Sequence, residues 1–206
     1  MSIRAVVFDF GNVLGFFSHR RAAEQLAAFA SNPVSADDII QHLFYSDLEP
    51  LFEVGGISPE EVLAGLRRQF DLTGTDEELA HAFADMFTPN EAVTPLVSGL
   101  RGRYLLALLS NTNDLHYRLF RRQFAPVLEQ FDHLFVSHEV GLRKPHPDIY
   151  DYVVARLGVK PEECVFIDDL PANIEAARSQ GWQGILYRRG DDLRHLLSQV
   201  GVHPAS

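Results

Sequence analysis

The first unbroken apolar run of the chain lies at Ala5 to Phe8, and four more follow, at Tyr104 to Leu109, Leu134 to Val136, Val165 to Ile167 and Ile185 to Tyr187. Runs this short, apolar at successive rather than alternate positions, are what parallel strands show when helices cover both faces of their sheet. Helical periodicity separates the last four. Leu115, Leu119 and Phe120 mark one helix; Ile149, Tyr150, Val153, Val154 and Leu157 mark a second, stopped by Gly158; Ile174, Ala177 and Arg178 lie in a third, stopped by Gly181. This alternation predicts an α/β fold built on a doubly wound, Rossmann-like parallel sheet.

Between the first and second runs the sequence carries no strand signal over roughly 90 residues, far longer than an ordinary α/β connection. Ser35-Ala36-Asp37-Asp38, Ser58-Pro59-Glu60-Glu61 and Thr75-Asp76-Glu77-Glu78 each resemble a capping box, the second ahead of the amphipathic set Val62, Leu63, Leu66 and Phe70. We therefore expect an inserted α-helical cap over residues 16–88, with residues 1–15 and 89–206 forming the core. No repeat and no low-complexity stretch interrupts either part.

Composition narrows the class. Apolar residues make up 46% of the chain and charged residues 22%, as in an ordinary folded protein. The segment after Met1 is too short for a signal-peptide core or a membrane span, so the expectation is a cytoplasmic protein with no membrane partner. A formal net charge of −10 argues against nucleic acid, and an anionic substrate needs local help from a cation. The single cysteine, Cys164, sits among Val165, Phe166 and Ile167 and reads as a buried thiol.

Open α/β sheets bind ligands at the carboxyl ends of their strands. There the chain places Asp9-Phe10-Gly11-Asn12, Ser110-Asn111-Thr112 and Asp168-Asp169, with Arg143-Lys144-Pro145 opening the helix between the third and fourth strands. Each alone has a plain explanation as a helix cap, a turn or a solvated helix start. Together they bring a carboxylate nucleophile, a hydroxyl, a cation and an acidic pair to one sheet edge, a set suited to phosphoryl transfer. A divalent cation held by hard oxygen ligands removes the repulsion between two anions. Asp169, with Asp168, can hold it jointly with Asp9, while Lys144 and Ser110 meet the phosphoryl oxygens.

Phe8-Asp9-Phe10-Gly11-Asn12-Val13-Leu14, Leu109-Ser110-Asn111, Lys144-Pro145 and Phe166-Ile167-Asp168-Asp169 resemble, in order and spacing, the four motifs of the haloacid dehalogenase-like hydrolases. The inserted helices resemble the cap of the subfamily that contains phosphoglycolate phosphatase and β-phosphoglucomutase. Gly-Asn after the nucleophile, with Asp-Asp in the last motif, is most similar to the branch that includes glucose-1-phosphate phosphatase. The resemblance implies a phosphatase acting on a small phosphorylated metabolite through an aspartyl phosphate on Asp9. It implies Mg²⁺ bound by Asp9, the Gly11 carbonyl and Asp169, with Asp168 direct or through water, and a phosphoryl group held by Ser110, Lys144 and the Asn111 backbone.

One position departs from the pattern. Gly11 stands where most phosphatases of this kind carry a second Asp that protonates the leaving group, which predicts weakened activity or dependence on good leaving groups. Asn173 replaces another residue that is often acidic, and reads as a first-turn helix position. His19, Arg20, His42 and Tyr45 read as solvated or packing positions of the insert, His146 as pointing away from the site, and Phe16 and Phe17 as pocket lining or hinge packing. A 2-haloacid dehalogenase is the second reading, since it also uses an aspartate nucleophile without the second Asp; it needs no metal, which leaves the acidic pair without purpose. A phosphate-pocket binding protein without turnover is the third.

Overall fold

The structure, a computed structural model, describes residues 2–205. Its elements run in the order β1 (Ala5–Phe8), β2 (Gly15–Phe17), α1 (His19–Ala27), α2 (Ala36–Phe44), α3 (Leu48–Glu53), α4 (Pro59–Phe70), α5 (Asp76–Ala84), β3 (Phe87–Pro89), α6 (Thr94–Leu100), β4 (Leu105–Ser110), α7 (Asp114–Gln123), α8 (Ala125–Leu128), β5 (His133–Val136), α9 (Ser137–Val140), α10 (Pro147–Leu157), β6 (Cys164–Asp168), α11 (Pro171–Ser179), β7 (Gln183–Leu186) and α12 (Leu193–Gln199).

Five strands pair in the order β5-β4-β1-β6-β7, every pair parallel. The chain thus builds outward from the central β1 in one direction through β4 and β5, then crosses to the other side for β6 and β7. That is a doubly wound sheet, and the direction reverses at β1, where such folds open a crevice. The three central strands β1, β4 and β6 are buried on both faces, as their continuous apolar runs require, while the edge strands β5 and β7 are buried only in part. Val6, Phe8, Leu106, Leu108, Val165 and Ile167 join one apolar cluster, while Ala5, Val7, Ala107, Leu109, Cys164 and Phe166 join a second with Ile149, Tyr150, Val153 and Ile174. This strict alternation follows from the two-residue period of a strand. Cys164 is buried, and burial pushes its thiol up to about 12.

Helices α1 to α5 fill the segment between β2 and β3. Their starts follow the capping chemistry: Ser58 with Glu61, and Thr75 with Glu78, form complete capping boxes, and the Ser35 hydroxyl accepts from the Asp38 N–H. Ile39, Leu43, Val62, Leu63, Leu66 and Leu79 are buried in the same cluster as one face of the sheet, so the insert packs directly onto the core.

The absence of strand signal in this region is corrected by the structure. The insert is entered through β2 and left through β3, which pair antiparallel with Gly15 opposite Pro89 and Phe17 opposite Phe87. Three-residue strands are too short to show a periodicity. No helix among the described residues is long and apolar enough to cross a membrane.

Candidate active site

Asp9 follows the last residue of β1 at the sheet's carboxyl edge, its N–H donating to the Ile167 carbonyl. Lys144, held in the loop before α10, reaches to the same point. Its Nζ lies 2.7 Å from Asp9 Oδ1 and 2.7 Å from Asp168 Oδ2, with all three side chains almost wholly buried. The Asn111 side chain fixes the lysine's backbone from both sides, accepting from the Lys144 N–H and donating to its carbonyl, each at 2.9 Å. The motif after β4 thus positions the lysine as well as presenting Ser110, which is buried beside it.

Asp168 is saturated with partners. Besides Lys144, its oxygens accept from the Leu170 N–H at 2.8 Å and from Asn173 Nδ2 at 3.0 and 3.1 Å. Asn173 lies in the first turn of α11, as read from the sequence, and is also buried and braces this carboxylate, while its own carbonyl accepts from the Tyr150 hydroxyl. An amide at this position donates to Asp168 where a second carboxylate would repel it.

Asp169 is half-exposed and turns toward Asp9. Its Oδ2 accepts from Asn12 Nδ2 at 2.9 Å, and Asn12 takes the left-handed conformation (φ 56°) that lets the chain turn sharply after Asp9. Oxygens of Asp9, Asp168 and Asp169 all lie within 4.8 Å of one another. Three carboxylates against one ammonium leave two negative charges, which one divalent cation would balance. Burial, opposed by Lys144 and assisted by Asp168 and Asp169, pushes Asp9 up to about 7. Lys144 is shifted upward by Asp168 and Asp9 against its burial.

A cleft of about 90 Å³ lies between core and insert, lined by Phe10 and Gly11, which follow Asp9, rather than by the carboxylates themselves. The core contributes Gly11, Ser110, Asn111 and His116; the insert contributes His19, Glu49 and Glu53. The insert is docked: Arg143, beside Lys144, ion-pairs with Glu53 of α3 at 2.8 Å, and a Cβ at Gly55 would meet the His138 carbonyl oxygen at 2.7 Å. A Cβ at Gly11 would meet the Phe17 ring at 3.1 Å, so Phe17 stands over the space that a larger residue there would enter. His42, Arg20 and Tyr45 do not line the cleft; Arg20 ion-pairs with Asp37, and Tyr45 is exposed. His146 caps α10 and faces solvent, as the sequence reading has it.

His116 is a cleft residue that the sequence reading passed over. It stacks on Phe83 with ring centroids 4.5 Å apart, and burial, then His19, pushes its imidazole down to about 3. Between that value and the ordinary 6.5 the unfolded chain binds the proton and the folded chain does not. Stability from this group is therefore present above about 6.5 and falls as pH drops, by up to about 1.4 kcal/mol per pH unit. We expect His116→Phe to flatten the acid side of the stability profile. Urea midpoints of both proteins from pH 7 to 4.5 check this; parallel profiles would refute it.

A family model of haloacid dehalogenase-like hydrolases matches residues 3–181. The chain belongs to this family. Among similar haloacid dehalogenase-like proteins, a D-ribitol-5-phosphate phosphatase of Bacteroides thetaiotaomicron is 28% identical over 208 residues, covering 96% of this chain and 98% of its own. A phosphatase of Mycobacterium tuberculosis is 29% identical over 94% of this chain and 91% of its own. A haloacid dehalogenase family enzyme of Bacteroides thetaiotaomicron, solved in complex with magnesium and inorganic phosphate, superposes with a TM-score of 0.84 at 26% identity, covering 95% of this chain and 99% of that one. An L-2-haloacid dehalogenase of Xanthobacter autotrophicus shares the fold at a TM-score of 0.64 and 21% identity, covering 98% of this chain and 85% of that one.

Proposed function

We propose that the chain is a Mg²⁺-dependent phosphomonoesterase that hydrolyses a small phosphorylated metabolite, a sugar or polyol phosphate or similar, through an aspartyl phosphate on Asp9. The observation that carries this reading is the trio Asp9, Asp168 and Asp169, whose oxygens lie within 4.8 Å of one another while a single ammonium, Lys144, pairs with the first two, leaving two negative charges in excess. Phosphatases among the full-length relatives and a magnesium and phosphate complex in a similar fold support it.

The donors suit a hard cation. Asp9, Asp169 and the Gly11 carbonyl would hold Mg²⁺, with Asp168 acting through water or through its grip on Lys144. When bound, the ion supplies positive charge against the phosphoryl oxygens and lets Asp9 stand ionised. The chain's own groups do the rest. Lys144, held by Asp168 and Asn111, directs its charge at the phosphoryl group, and Ser110 and the Asn111 N–H hydrogen-bond its oxygens. Asp9 attacks phosphorus, the ester P–O bond breaks, and water later cleaves the acyl phosphate to return the carboxylate.

We read residues 16–88 as the cap and residues 1–15 and 89–206 as the core. The cleft is smaller than the roughly 150 Å³ cavity known to admit benzene. It has room for a phosphoryl group, so the cap swings away for a polyol to enter and closes to exclude water.

The test is release of phosphate from p-nitrophenyl phosphate and a panel of sugar and polyol phosphates, with Mg²⁺ and with EDTA, beside chloride release from 2-chloropropionate. Chloride release independent of metal would select the dehalogenase; phosphate binding without release would select a binding protein. Mg²⁺ is also expected to raise the melting temperature, by a stabilisation of about 2.7 kcal/mol at 100 times its Kd. A melting temperature indifferent to Mg²⁺ and EDTA would remove the metal from this reading.

A further inference from the structure

An ester oxygen leaving as an alkoxide needs a proton, and the displaced bond lies opposite the attacking one. Asp9 attacks from the core, so the leaving oxygen faces the insert across the cleft. The core side of that cleft offers little that can donate: Gly11 has no side chain, Ser110 and Asn111 do not titrate near neutrality, and His116 stays unprotonated in its apolar stack. We infer that Glu49 of α3, reaching the cleft from the insert, is the general acid and then the general base of this site. The assignment rests on the phosphatase reading above.

Three features single Glu49 out. It lines the same cleft as Gly11, Ser110 and Asn111, and it belongs to the inserted helices where they belong to the core. It is half-buried, and among the described residues it makes no hydrogen bond or ion pair, so its proton is free for a ligand. Its neighbour Glu53, one turn along α3 and on the same face, is held by Arg143 and is thereby committed to docking the helix. His19 also lines the cleft, but it stacks flat on Phe44 at 3.9 Å and burial lowers its affinity for a proton.

The charges around Glu49 favour the protonated acid. Burial first, and Glu53 next, push it up to about 7, with Arg143 opposing them; His19 and His116, the titratable groups facing the cleft from α1 and α7, are uncharged at that pH. In the first step Asp9 forms its bond to phosphorus, the ester P–O bond breaks, and the Glu49 proton passes to the departing oxygen, which leaves as an alcohol. In the second step Glu49, now a carboxylate, takes a proton from water. The resulting hydroxide attacks phosphorus, the Asp9–phosphorus bond breaks, and inorganic phosphate leaves. The leaving-group dependence that Gly11 alone would impose then belongs to a Glu49 variant rather than to the native protein.

The test compares kcat/KM for an alkyl phosphate and for p-nitrophenyl phosphate, across pH, in wild type and Glu49→Gln, both with Mg²⁺. On the alkyl ester E49Q should lose about 10²–10⁴ in kcat/KM, and markedly less on the aryl ester, whose leaving group needs no proton. The alkaline limb of the wild-type profile on the alkyl ester, where Glu49 gives up its proton, should vanish. E49Q should also release p-nitrophenol in a burst followed by slow turnover, because the acyl phosphate lacks its base. Glu49→Asp should recover part of the alkyl activity. Equal losses on both esters, or a change confined to KM with the pH limb intact, would overturn the assignment while leaving the phosphatase reading in place. Wild-type protein that releases phosphate from neither ester would overturn both.

Discussion

Replacing Asp9 with asparagine is expected to abolish phosphate release while leaving the fold intact. The effect should be large, on the order of 10⁴–10⁶ in kcat, because the loss of a covalent nucleophile leaves only binding and electrostatic stabilisation. The fold should survive because Lys144 keeps its second partner: Asp168 remains 2.7 Å away, itself braced by Asn173 and the Leu170 N–H. Turnover is checked by phosphate release, and folding by circular dichroism and thermal melting. In the native protein beryllofluoride, standing in for the phosphoryl group of an aspartyl phosphate, should attach to Asp9 in a crystal. Attachment to another carboxylate, or D9N turnover within tenfold of wild type, would move the nucleophile elsewhere.

Lys144→Met is expected to cost both stability and activity. The methionine fills much of the same volume but leaves Asp9 and Asp168 buried with no cation between them. Removing one partner of a buried ion pair typically costs about 3–5 kcal/mol, because the remaining charge is stranded. The loss should depend on pH. Without the ammonium, Asp9, which burial already pushes up, binds its proton more tightly in the folded protein than in the unfolded one. The variant therefore regains stability, relative to wild type, as pH falls and that proton is taken up. Urea unfolding of metal-free protein at pH 8 and pH 5 measures this. A loss below about 1 kcal/mol at pH 8, or one independent of pH, would show that water or rearrangement replaces the lysine.

What the sequence made visible follows from where each signal resides. The central strands β1, β4 and β6 were legible because burial on both faces demands apolar residues at successive positions, whereas the edge strands β5 and β7, which carry His133, Gln183 and Gly184, showed only their apolar ends. The starts of α2, α4 and α5 were legible because capping is a contact between residues three apart. Asp9, Ser110, Lys144 and the Asp168-Asp169 pair were legible because a doubly wound sheet gathers its strand ends at one edge. By contrast β2 and β3 exist only through pairing across some seventy residues of chain, which no local pattern encodes. Asn173 acts through a contact with Asp168 that depends on how α11 leaves β6. Glu49, Glu53 and Arg143 meet only because α3 docks on the core, and a six-residue helix shows too little periodicity to reveal which face it turns inward.

The rung that pairs Gly15 with Pro89 has a consequence for the history of such a chain. An excursion that departs and returns at one closed rung can be lengthened, shortened or exchanged by genetic insertion without shifting the register of the five-stranded sheet, because its two ends are already fastened together. The spacing of Asp9, Lys144, Asp168 and Asp169 is then independent of how long the excursion is.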